Sequence, residues 1–100
     1  MEVKIEKNQE NTIVKLIGRL DTPASQSVME TLLPIQGNAT GTIVLDCEKL
    51  EYISSSGLRL FLSLRKSAAD KGGKIIVKSI NDNIRNVFMM TGFLNLFEIA

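Results

Sequence analysis

Apolar and polar residues alternate through Val3-Lys4-Ile5-Glu6, the period of a half-buried strand. The residues "ENT" at 10–12 read as a turn, and Ile13 to Ile17 predict a second strand. The short polar connection makes the pair an antiparallel hairpin, closed by Gly18. The spacing then turns helical at Val28, Met29, Leu32 and Leu33. Asp21 or Thr22 can cap this helix by accepting a free backbone N–H, and Pro23 fits the first helical position, where no N–H is needed. Pro34 predicts the end of the helix and "QGNATG" a loop.

Two short apolar runs rich in β-branched residues, Thr42 to Asp46 and Lys74 to Lys78, predict central strands. Between them, Leu50 to Ile53 brings the chain to Ser54-Ser55-Ser56, and a helix is predicted from about Ser56 to Asp70, ended by "KGG" at 71–73. A last helix starts near Asn81, carries Ile84, Val87, Phe88 and Thr91 at helical spacing, and stops at Gly92. Phe97 to Ile99 closes the chain as an edge strand. The order is ββαβαβαβ. Strands alternating with helices through right-handed parallel crossovers make an α/β fold, expected as one domain over residues 1–100.

Composition narrows the functions open to such a fold. The net charge is +1 and no basic block stands out, so the electrostatic footprint of a nucleic-acid binder is missing. The absence of histidine removes Ser-His and Cys-His nucleophilic catalysis and imidazole metal sites. Cys47 stands alone, which excludes an internal disulfide and a thiolate zinc site, and is expected to fill the core. No apolar run approaches the roughly 20 residues of a membrane span, and the start "MEVKIEKNQE" lacks a signal-peptide core. A cytoplasmic protein without membrane insertion is expected, with no metal or cofactor. Apparent enzyme motifs fail on inspection. Ile53 stands where a nucleophile elbow around Ser55 needs glycine, Ser63-x-x-Lys66 lies mid-helix, and "GGK" at 72–74 lacks the other elements of a phosphate loop.

The three serines therefore need another explanation. On the helix after them, Gly57, Leu60, Phe61, Leu64 and Ala68 fall on one stripe facing the sheet, while Arg59, Ser63, Lys66 and Asp70 face water. Leu58, Leu62, Arg65 and Ala69 form a flank, covered either by neighbouring helices or by a partner protein. One serine suffices as a helix cap, stabilising by about 1 kcal/mol. Three keep the loop polar. A helix N-terminus also carries free N–H donors and about half a positive charge, so it tolerates the added phosphate of a phosphoserine. Capping and phosphorylation both remain open from these residues alone, with Arg59 near enough to balance part of an added charge.

The runs "TIVLDCEKLEYI", "SSSGLRLFLSLRKSA" and "GGKIIVKSINDNIRNVFMMTGFLNLFEI", with "GRLDTPAS" at 18–25, resemble the STAS domain of bacterial anti-sigma factor antagonists. The core of the likeness is Asp46-x5-Tyr52-Ile53-x-Ser55-Ser56-Gly57-Leu58. The resemblance implies a right-handed β-α superhelix, a small mixed sheet with helices mainly on one face, and no catalytic activity. It implies that a serine kinase, itself an anti-sigma factor, phosphorylates Ser55; that the unphosphorylated domain binds this kinase and frees the sigma factor; and that a PP2C-type serine phosphatase resets the switch. Partner contacts are expected from Asp21, Ser54, Ser55, Ser56, Gly57, Leu58, Arg59 and Leu62. Two departures stand out. The family usually places Asp where this chain has Ser54, and many members carry a C-terminal helix that is expected to be short or absent here. The resemblance also extends to STAS-like subunits of lipid-transport ABC complexes, which need no phosphorylation.

Overall fold

Val14 and Leu16, Ile43 and Leu45, and Ile75 and Val77 are buried at alternate positions of three strands, and their shared parity sets which side of the sheet holds the core. The computed structural model describes residues 1–7, 11–36 and 41–100. The elements run β1 (Glu2–Lys7), β2 (Asn11–Leu20), α1 (Thr22–Gln36), β3 (Thr42–Asp46), β4 (Leu50–Ile53), α2 (Ser55–Asp70), β5 (Lys74–Lys78), α3 (Asp82–Thr91), a 3-10 turn at Phe93–Asn95 and β6 (Glu98–Ile99). The sheet order is β1-β2-β3-β5-β6, with β4 pairing on β2. Only β1 is antiparallel to its neighbour. Val3 and Ile5 lie across from Leu16 and Val14 and extend the core face. The other face carries Lys15, Val44, Asp46 and Ile76, all half-buried. The expected mixed α/β architecture is present, with one more strand than predicted.

The differences have local causes. Asn11 and Thr12, expected in a turn, are strand residues: Thr12 aligns with Lys7 of β1 and Ile43 of β3, and Asn11 with Thr42 of β3; residue 10 lies outside the described residues. Gly18 does not close β2. It adopts φ +106°, and β2 continues to Leu20 while its register against β4 shifts: Gly18 aligns with Leu50 and Arg19 with Tyr52, so the extra residue, Glu51, lies on β4. That continuation gives Leu50–Ile53 a partner and makes it a separate strand. Pro23 is the second helical residue rather than the first, a position whose N–H also has no acceptor in the helix. Pro34 does not end α1, which continues to Gln36. A proline this near the end forfeits only one hydrogen bond. Most of the predicted 36–41 loop lies outside the described residues.

Gly57, Leu60, Phe61, Leu64 and Ala68 are the buried residues of α2, the stripe that their spacing predicts. Ser63 is half-buried rather than water-facing, because it lines the groove against α1. The far end of the core is aromatic. Phe61 meets Phe88 edge-on at 6.1 Å and Phe97 at 6.2 Å, which anchors the C-terminal segment to α2. Gly92, at φ 78°, ends α3 in the left-handed conformation and lets the chain turn back into this cluster. No helix among the described residues is long and apolar enough to cross a membrane.

Cys47 is fully buried, and burial first, then the nearby Asp46 charge, pushes its thiol up to about 12 from an ordinary 9.0. Above pH 9 the unfolded chain releases this proton while the folded chain keeps it, so stability is lost as pH rises from 9.0 towards about 12. The limiting slope is about 1.4 kcal/mol per pH unit. Urea unfolding across this range should show a shallower decline for Cys47→Ala than for the wild type. Equal slopes would mean that Cys47 ionises in the folded protein.

Candidate functional site

Two helices begin side by side at one end of the sheet. The α1 start is capped by Asp21, whose Oδ1 accepts the Ala24 N–H at 2.9 Å. This settles the choice between Asp21 and Thr22. The Ser25 hydroxyl donates to the Asp21 carbonyl at 2.7 Å and braces the same turn. The α2 start is capped by Ser54, whose Oγ accepts the Gly57 N–H at 3.1 Å. Ser54 also reaches across to β2: its N–H and its hydroxyl both donate to the Leu20 carbonyl, each at 2.9 Å. The residue before Asp21 and the cap of α2 are thus bolted together.

Gly57 makes that closeness possible. A Cβ there would lie 2.8 Å from Ile53 Cγ1 and 2.9 Å from Leu20 Cδ2, inside their van der Waals radii. Any side chain would push the first turn of α2 off the strands that hold it.

The three serines consequently differ in chemistry. Ser54 is buried, and its hydroxyl is occupied as both donor and acceptor. Ser56 is half-buried and donates to Thr22 Oγ1 at 3.3 Å, linking the two helix starts. Ser55, the first residue of α2, is exposed, and its hydroxyl makes no hydrogen bond within the described residues. The backbone N–H groups of Ser55 and Ser56 lie in the first turn, without acceptors in the helix. No acidic residue occupies the first turn of α2, so its positive end is not offset there by its own side chains.

The remaining expected residues fall on two sides. Arg59 joins Ser56 and Ser63 along an open groove of about 620 Å³ against Thr22, Gln26 and Glu30 of α1. Leu58 and Leu62 lie on the opposite flank, where the Arg65 Nε–H donates to the Leu96 carbonyl at 2.8 Å. Leu58 packs partly on the core; Leu62 and Leu96 stay 38% and 40% exposed. The flank is therefore covered in part by its own chain and in part by nothing within the described residues. Asp21, Ser54, Ser55, Ser56 and Gly57 are brought together, whereas Arg59 and Leu62 diverge around the helix. Thr22 and the Leu20 carbonyl belong to the same cluster and escaped sequence reasoning. A backbone acceptor leaves no trace in the residue alphabet, and Thr22 looked only like a cap.

The sequence and the fold both have counterparts among known proteins. The STAS domain model matches residues 2–100. The chain belongs to the STAS domain family. The anti-sigma-B factor antagonist of Staphylococcus aureus strain NCTC 8325 is 28% identical over 86 residues, which cover 86% of this chain and 80% of that protein. The anti-sigma factor antagonist SpoIIAA in its unphosphorylated form superposes with a TM-score of 0.77 at 24% identity, over 99% of this STAS domain and 87% of that chain. The Bacillus cell fate determinant SpoIIAA in its phosphorylated form gives 0.76 at 25% identity, over 99% and 91%. This chain keeps the family's sheet and helices and sets a serine, Ser54, at the cap of α2.

Ser54→Ala removes the cap and one of the two donors to the Leu20 carbonyl. Urea unfolding should show a loss of about 1–3 kcal/mol. A loss below about 0.5 kcal/mol, the size of an ordinary surface change, would contradict the bracing role.

Proposed function

We propose that this STAS domain is an anti-sigma factor antagonist, a non-catalytic protein switch in the bacterial cytoplasm, with the whole chain acting as one binding domain. When unphosphorylated it binds an anti-sigma factor that is also a serine kinase, and the sigma factor is released. The observation that carries this reading is the unequal state of the serines. Ser55 alone presents an exposed hydroxyl without an internal hydrogen bond, at the positive end of a 16-residue helix. The names of relatives support it, since matched proteins are described as anti-sigma factor antagonists and SpoIIAA is known in both phosphorylation states.

The physical consequence of phosphorylation follows from the site. The kinase moves the γ-phosphoryl of MgATP to Ser55 Oγ, and ADP and the serine proton leave. The phosphate brings about −1.5 to −2 charges and meets free N–H groups at the mouth of α2. The domain accommodates it without repacking, because Ser55 itself lies outside the core. A partner surface covering the same loop loses contact instead, since a hydrated dianion would have to be desolvated there. A PP2C-type phosphatase hydrolyses the ester and restores the binding form. Asp21 and Arg59 flank the loop, and Leu58 and Leu62 supply its apolar margin.

The Ser54 substitution bears on which serine reacts. With its hydroxyl committed on both sides, Ser54 serves as the brace, so the usual carboxylate beside the acceptor is replaced here by a neutral cap.

Incubation with the cognate kinase and ATP should place one phosphate on Ser55, read by mass spectrometry. Phosphate appearing equally in Ser55→Ala would remove Ser55 as the acceptor, and no phosphate in the wild type would favour a STAS subunit that is not regulated in this way. Leu58→Lys should keep the circular dichroism of the wild type and lower kinase affinity at least tenfold, because a charge would be desolvated in the contact. An unfolded Leu58→Lys would assign Leu58 to the core and displace the proposed margin.

A further inference from the structure

Close to the serine loop, a cation is held in place with no counter-ion among the described residues. Arg19 sits near the end of β2 and Tyr52 near the end of β4, and the two are aligned in the register of this strand pair. Their neighbours Leu20 and Ile53 are buried, so Arg19 and Tyr52 point away from the core. The Arg19 guanidinium lies over the Tyr52 ring, 4.3 Å from its centroid. Tyr52 is 40% exposed. Among the described residues Arg19 has no carboxylate partner: the ion pairs are Lys4–Glu2, Lys15–Glu6 and Lys74–Glu98.

A guanidinium stacked on an aromatic ring uses its face and leaves its edge N–H groups free. Those donors form a planar fork that matches a carboxylate with two parallel hydrogen bonds. Stacking also fixes the side chain before any partner arrives, which reduces the entropy lost on docking. Arginine and tyrosine are among the residues that most often carry binding energy at protein interfaces, and burial under a partner strengthens their mutual attraction.

Position connects the pair to the switch. Tyr52 precedes Ser55 by three residues, so their Cα atoms lie within about 11 Å. A contact of ordinary size covers about 800 Å² on each partner, a patch about 30 Å across. A partner seated over Ser55 therefore has Tyr52 within reach. The register shift at this point passes over Glu51 of β4 and so aligns Tyr52 with Arg19.

We propose that Arg19, held by Tyr52, is a docking anchor that receives a carboxylate side chain of the protein partner. This rests on the reading of the serine loop as a partner-binding switch and adds to it a second contact, outside the loop and chosen by charge. The anchor sets affinity for the unphosphorylated domain and makes binding salt-dependent, whereas the Ser55 phosphate decides whether binding occurs.

The test uses the full chain and the purified cognate anti-sigma factor kinase, with affinity measured by calorimetry at low and high salt. Arg19→Gln should weaken binding about tenfold and flatten its salt dependence. Arg19→Lys should lose less than Arg19→Gln, since it keeps the charge without the fork. Tyr52→Leu should weaken binding, and its combination with Arg19→Gln should cost less than the product of the two separate losses. Urea midpoints of all variants should stay near the wild type, because both side chains are exposed. Wild-type affinity in Arg19→Gln, with binding lost in Leu58→Lys, would overturn the anchor and leave the switch standing. Wild-type affinity in Arg19→Gln, Leu58→Lys and Ser55→Glu together would overturn both. An effect of Arg19→Gln seen only on the phosphorylated domain would assign Arg19 to the phosphoserine and also overturn the proposal.

Discussion

The Ser54 hydroxyl donates to the Leu20 carbonyl and accepts the Gly57 N–H, and the placement of the groups around the serine loop depends on this pair of hydrogen bonds. Ser54 belongs to the turn between β4 and α2, and Leu20 ends β2 immediately before α1. One buried side chain, reaching a carbonyl 34 residues away in sequence, therefore sets the relative position of the two helix starts. The missing side chain at Gly57 is the steric half of the same constraint, since Ile53 and Leu20 occupy the space that a Cβ would need.

From that geometry the serines acquire separate work. The braced hydroxyl is buried, the next one projects outward, and the third links α1 to α2 through Thr22. A phosphate on the outward hydroxyl meets an electropositive helix end that carries no acidic residue in its first turn. The energy of that event is spent at the surface. The hydrophobic core, from Val14 and Leu45 to the phenylalanines around Phe88, lies behind the brace. In the proposed switch, sensitivity to a partner and indifference of the fold thus come from one arrangement.

Periodicity and punctuation made most of this fold legible. Ile75 and Val77 announced a buried strand, Asn81 and Gly92 marked the ends of α3, and the stripe from Gly57 to Ala68 was readable to the residue. Errors came where tertiary partners override local signals. Gly18 and Pro34 looked like stops, but β2 runs on past the first because β4 offers a partner, and the second lost a single bond near a helix end. At the site, the run of serines was visible but their inequality was not, because it is decided by a backbone carbonyl distant in sequence. Arg19 and Tyr52 were invisible as a pair for the same reason: strand register, not spacing, brings them together.

The most direct measurement compares backbone amide resonances of the domain before and after stoichiometric phosphorylation. Shifts should be confined to about residues 54–59 and the neighbouring α1 start at 21–24, with the amides of β3, β5 and the Phe61–Phe88–Phe97 cluster unmoved and kinase binding lost. Shifts spread through β3, β5 and that cluster would show that the phosphate acts by repacking the core, and would contradict a switch confined to the surface.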